Sequence, residues 1–184
     1  MGEETMSLPL SEKMAFEQGD EGTSFGYKAS GANAVDEFGN LDTVEFINVS
    51  QDDALAWPET VHRTYPRTVN ERMDNTIVPF VKKSRAINVV FLKILEKKLE
   101  LPEGELLKKH SEEEPSGSET RCIKSPPGDK NQTAIGAHTD FGSLVSATTG
   151  LLLTYSPDKH PVLPAQPTWR STGHGSWHRG VAIC

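Results

Sequence analysis

Two segments of the chain show a clear hydrophobic period. Residues 43–50, TVEFINVS, alternate polar and apolar side chains, which predicts a β-strand. Residues 69–104 repeat apolar positions at helical spacing, which predicts a long helix that ends near Pro102 and Gly104. Pro79 lies inside this segment and should kink the helix or shift its start. The helical stripe is expected to be core: Met73, Ile77, Phe80, Val81, Ile87, Phe91, Ile94, Leu95 and Leu99.

Weaker patterns indicate the remaining elements. LSEKMAFE, residues 10–17, is a short helix candidate, and SFGYKA, residues 24–29, is a brief strand. Residues 52–66 are expected to be irregular, because Pro58 and Pro66 break helices. Residues 120–147 are typical of a strand, a turn at PPGDKN and a second strand.

Composition and charge exclude several classes of function. The 184 residues carry a net charge of −7, which disfavours binding to nucleic acid through phosphate contacts. No apolar run approaches the roughly 20 residues needed to cross a bilayer, and the N-terminus lacks the features of a signal peptide. The two cysteines show no metal-ligand or disulfide spacing, so we expect a cytoplasmic protein without membrane or nucleic-acid partners.

The most specific chemical feature is the stretch AIGAHTDFGSLV, residues 134–145. Residues i and i+2 of a strand share a face, so His138 and Asp140 would point to the same place. One nitrogen and one oxygen donor are two of the three ligands in the facial triad of non-haem iron oxygenases. The alternative interpretation is a hydrogen-bonded turn pair near the end of a strand.

The surrounding sequence resembles a known family. AIGAHTDFGSL resembles the metal-binding strand of the isopenicillin N synthase-like iron(II)/2-oxoglutarate-dependent dioxygenases, especially the fungal members. Upstream segments resemble that family's helix, gate-side loop and long helix in the same order, among them FGYKASGANAVDEFGNLDTVEFINVSQDDALAWP and ERMDNTIVPFVKKSRAINVVFLKILEKKLELPEGEL. The similarity covers residues 7–145 well and residues 150–169 loosely.

The resemblance implies a mixed α/β, mainly β fold: a partial double-stranded β-helix, or jelly roll, with an incomplete barrel and a long scaffold helix. The expected divisions are an N-terminal helix and loop/strand region at 1–68, the scaffold helix at 69–104, the partial jelly roll at 105–169 and an aberrant tail at 170–184. The resemblance also implies Fe(II), with 2-oxoglutarate and O₂ as co-substrates and with His138 and Asp140 as metal ligands. The expected reaction is hydroxylation, desaturation or cyclisation of a small, secondary metabolite.

The chain departs from the family pattern at several positions. Ser125 occupies the place of an aromatic residue, commonly Tyr, that helps to hold 2-oxoglutarate, and a serine reaches less far. The third ligand and the Arg-x-Ser that binds the co-substrate are not found. His178, followed by Arg179, is a candidate third ligand, but it lies only 40 residues after His138. His62, His110 and His160 are expected to be solvated.

These departures leave three hypotheses for the function. The first is an oxidoreductase of this family with a small-molecule substrate. The second is an inactive fragment, truncated at both ends relative to the family, with a change of reading frame near residue 170. The third is a binding protein that keeps the scaffold and has lost the catalytic site.

Overall fold

The computed structural model describes residues 1–19, 22–125 and 143–144. They form a mixed α/β arrangement of a three-stranded antiparallel sheet and several helices. The helices are α1 (Gly2–Met6), α2 (Leu10–Met14), α3 (Gln51–Ala56), α4 (Arg67–Asn70) and α5 (Val78–Lys98), with a π-helix at Met73–Ile77 and a 3₁₀-helix at Leu107–His110. The strands are β1 (Gly26–Lys28), β2 (Glu45–Ser50) and β3 (Glu119–Lys124).

The sheet confirms the strand predicted from the alternating pattern. The central strand, β2, pairs with β1 on one side and with β3 on the other. Ile47 is the midpoint of this register, because it lies opposite Tyr27 of β1 and Cys122 of β3. In the described part of the chain this sheet is open and not a closed barrel. Helix α5 alone, at 21 residues, is longer than the three strands together, so the described residues are not mainly β.

Helix α3 replaces the irregular segment that the prolines predicted. Ser50, the last residue of β2, caps it: its Oγ accepts hydrogen bonds from the backbone N–H groups of Asp52 and Asp53, at 3.1 and 3.4 Å. Two acidic residues in the first turn also favour a helix start through the helix dipole. The prediction was therefore wrong for residues 52–56, although the helix does end before Pro58.

The long helix begins later than its hydrophobic pattern. Pro79 lies in the first turn of α5, where its missing N–H is tolerated, so this proline shifts the start of the helix. A π-helical turn and α4 precede it. At the other end Glu100 and Gly104 adopt positive φ angles of 54° and 81°, which reverse the chain.

The core lies between the sheet and the first half of α5. The buried apolar cluster contains Met6, Tyr27, Ile47, Val49, Ala54, Tyr65, Val69, Met73, Ile77 and Val81. The first part of the predicted helical stripe is therefore core. The later part is not, because Ile87, Ile94 and Leu99 are about half exposed. There the buried face of α5 carries Leu92 and Glu96 instead.

No helix among the described residues is both long and apolar enough to cross a membrane.

Candidate functional site

Most of the predicted site residues lie outside the described residues. This applies to His138, Asp140 and His178. Ser125 is described: it is partly buried and follows the last residue of β3. Within residues 1–19, 22–125 and 143–144, no three His, Cys, Asp or Glu side chains are grouped so that they could hold a metal ion. The iron site thus stays a prediction from sequence.

The described residues do form a cleft between α5 and the segment that connects it to β3. Its volume is about 120 Å³. Arg85 and Asn88 line it from α5, Gln51 from α3, and Lys109 and His110 from the 3₁₀-helix. Guanidinium, ammonium and carboxamide groups can donate hydrogen bonds to the oxygens of a small polar ligand, and Glu114 adds an acceptor to the same cleft.

Glu96 holds the start of the connecting segment, just before the residues that line the cleft. This buried carboxylate accepts three backbone hydrogen bonds from the chain beyond α5: from Leu106 at 2.7 Å, and from Gly104 and Leu107 at 3.1 Å each. Burial opposes ionisation of Glu96, but the three N–H donors and the positive charge of Lys93 together outweigh it and hold the pKa of Glu96 below its usual range. A charged residue in the buried stripe of α5 thereby fastens the connecting segment to the helix.

Two further contacts hold the connecting segment near the body of the protein. Arg85 forms an ion pair with Glu112 across the cleft. Asp52 of α3 accepts a hydrogen bond from the backbone N–H of Ser116 at 2.8 Å, and its other contact is His62 Nε2 at 2.9 Å. The cleft is therefore built by side chains from both α5 and α3.

His110 connects the cleft to the chain near the predicted metal ligands. Its Nε2 lies 3.1 Å from the hydroxyl oxygen of Ser143, and Leu144 lines the cleft beside it. Ser143 follows the predicted metal ligand Asp140 by three positions in the sequence. His110 was expected to be solvated; it is exposed but hydrogen-bonded.

A second polar cluster lies beside the end of β3, next to Ser125. Glu45 of β2 accepts hydrogen bonds from Lys13 Nζ and the Tyr27 hydroxyl at 2.6 Å each, and Lys124 Nζ lies 2.8 Å from its other oxygen. Burial raises the pKa of Glu45, but these three donors outweigh it and leave the pKa below its usual range. Glu45 thus binds three donors, and Lys13 also donates to the backbone carbonyl of Met6 at 3.1 Å, so this cluster serves the stability of the sheet.

Sequence reasoning missed the roles of Glu45, Glu96 and His110. Helical periodicity alone predicts that a Glu on a helix is exposed to solvent. The hydrogen-bond partners of all three residues lie in distant segments of the chain or in turns, which no local pattern reveals. The only local signal was that Glu96 is the single acidic residue of α5.

Comparison with known proteins adds no assignment: no family model, curated protein or solved structure matched the chain.

Proposed function

We propose that this chain is an iron(II)/2-oxoglutarate-dependent oxidoreductase-family protein that acts on a small organic, secondary metabolite by hydroxylation, desaturation or cyclisation, in the cytoplasm. The observation that carries the proposal is the pair His138 and Asp140, one residue apart in a predicted strand. The family-like order of segments over residues 7–145 supports it.

The donor atoms of the pair suit the metal. An imidazole nitrogen and a carboxylate oxygen are two members of the facial triad that holds Fe(II) with open positions. Bound iron with 2-oxoglutarate would supply the oxidising chemistry. The third ligand is not identified, since the described residues contain no ligand cluster.

The described residues contribute a scaffold and a polar cleft to this proposal. Glu96 and the Arg85–Glu112 ion pair hold the connecting segment against α5. His110 in turn contacts Ser143, a few residues from Asp140. These groups would position the chain that leads away from the metal ligands, and the donors of the cleft would orient a ligand that carries a carboxylate.

Ser125 favours a second candidate function. A tyrosine hydroxyl at that position would reach farther towards a co-substrate than the serine does. A chain that binds iron weakly and does not turn over 2-oxoglutarate would be an inactive member of the family or a binding protein derived from it.

Turnover of 2-oxoglutarate separates these candidates. Release of CO₂ from 2-oxoglutarate labelled at C1 is measured with the full chain, Fe(II) and ascorbate. The proposal expects turnover that is lost in His138→Ala and Asp140→Ala and kept in the control His160→Ala. No turnover by a folded chain that still binds Fe(II) supports the second candidate. Turnover unaffected by either ligand substitution contradicts the assignment of His138 and Asp140.

A further inference from the structure

The outer face of α5 carries an apolar seam. Ile87, Val90 and Ile94 are spaced by three and four residues, so they form one line along the helix. Their exposed fractions are 53%, 56% and 49%, although large β-branched side chains are usually buried. This spacing is the narrow seam that helices use to pack against one another in coiled coils.

Lysines surround the seam. The exposed charged side chains of α5 are all lysines, at Lys82, Lys83, Lys93, Lys97 and Lys98. The single acidic residue of the helix, Glu96, is buried on the opposite face. Among the described residues none of the five lysines lies within 4.0 Å of a carboxylate oxygen, and the one charge attraction found is that of Lys93 to the buried Glu96. A strongly basic face on a chain of net charge −7 is the complement of an acidic surface.

We propose that this seam docks an amphipathic helix of another protein, with apolar residues along one line and acidic residues beside it. Charge complementarity selects that partner over a second copy of the chain. In an antiparallel pair centred on Val90, Lys83 would face Lys97 of the other copy, and in a parallel pair each lysine would face itself. Both arrangements place like charges together.

The width of the seam disfavours a lipid surface. Helices that lie on membranes present a broad apolar face, commonly with Trp, Phe or Leu. Here the line is one residue wide, and the aromatic neighbour Phe91 is partly buried. A single line of Ile and Val fits between side chains of a facing helix instead.

Binding of two designed peptides to the full chain tests the proposal. Both are helical with the same Leu/Ile seam; one carries Glu beside the seam and the other carries Lys. Fluorescence anisotropy should show binding of the acidic peptide about ten-fold tighter than that of the basic peptide, the combined effect of several exposed ion pairs. Higher salt should reduce the difference.

Matched variants separate the seam from general charge. Lys93→Glu/Lys97→Glu and Ile94→Ser should each weaken binding of the acidic peptide about ten-fold or more. The controls Arg67→Glu and Val61→Ser change an exposed cation and an exposed apolar residue elsewhere and should leave binding unchanged. The proposal would be overturned by equal affinity for both peptides, or by an equal loss of affinity for the acidic peptide in the control variants. It would also be overturned by concentration-dependent dimerisation through Ile94, or by stronger binding to phosphatidylserine vesicles than to the acidic peptide.

Discussion

Replacement of Tyr65 by Phe removes one hydroxyl from the centre of a buried polar network. That hydroxyl donates to Asp53 Oδ2 at 2.7 Å and accepts from the backbone N–H of Ser50 at 2.9 Å. Asp53 is itself buried, and its other oxygen accepts from the N–H groups of Val61 and His62 at 2.8 and 2.7 Å. The network thus joins the end of β2, helix α3 and the segment before α4.

The magnitude follows from the two lost hydrogen bonds. Loss of a hydrogen bond to a charged group costs about 1.5–3 kcal/mol, and a buried N–H left without a partner costs about 1–3 kcal/mol. The phenyl ring stays, so the cavity is no larger than the hydroxyl. Because Asp53 keeps two of its donors and the ring can shift slightly, we expect Tyr65→Phe to lower the free energy of unfolding by about 2–4 kcal/mol.

Urea unfolding at pH 7, followed by circular dichroism, measures this loss. Thr76→Ala removes an exposed hydroxyl and should change the free energy of unfolding by less than about 0.5 kcal/mol. In a double-mutant cycle with Asp53→Asn, the two losses should fall short of additivity by about 1 kcal/mol or more. A loss below about 0.5 kcal/mol for Tyr65→Phe would refute the view that this network is tightly bonded.

Three further predictions concern other parts of the described structure. Glu96→Gln should speed hydrogen exchange of the amides at 104–107, and Glu103→Gln, an exposed neighbour, should not. The pKa of Glu96 is below its ordinary 4.5, so the stability that ionised Glu96 gives to the fold is present above pH 4.5 and is lost as the pH falls through the lower pKa. Glu96→Gln should therefore flatten the decline of the urea midpoint on acidification. Met73→Ala should cost about 2–5 kcal/mol in urea unfolding, because Met73 is fully buried. Burial raises the pKa of both Tyr27 and Tyr65, so absorbance at 295 nm should show that they ionise only above pH 10. The stability that the two hydroxyl groups provide is complete below pH 10 and is lost as the pH rises through the higher pKa of the folded protein.

The sequence predicted elements wherever a local rule dominated. The alternation in TVEFINVS sufficed for β2, and the position of Pro79 sufficed to shift the start of α5. Helix α3 was missed although its signals were present: Ser50 as the cap and two acidic residues in the first turn. The prolines that follow it end the helix but do not prevent it.

Burial along α5 could not be predicted from its pattern. Hydrophobicity alone places Ile87 and Ile94 in the core and Glu96 in solvent, and the structure has the reverse. The reason lies outside the helix: the chain turns back at Glu100 and Gly104 and offers three backbone N–H groups to Glu96. The candidate site likewise depends on a tertiary contact, between His110 and Ser143, that no local pattern encodes.

Binding of Fe(II) together with 2-oxoglutarate tests the central claim most directly. The purified full chain is titrated with Fe(II) without oxygen and with 2-oxoglutarate present, and the weak visible charge-transfer absorption of the chelate is followed. We expect a saturable band that is lost in His138→Ala and Asp140→Ala and retained in His160→Ala. A folded chain that shows no band, or a band that survives both ligand substitutions, would contradict the claim that His138 and Asp140 hold iron.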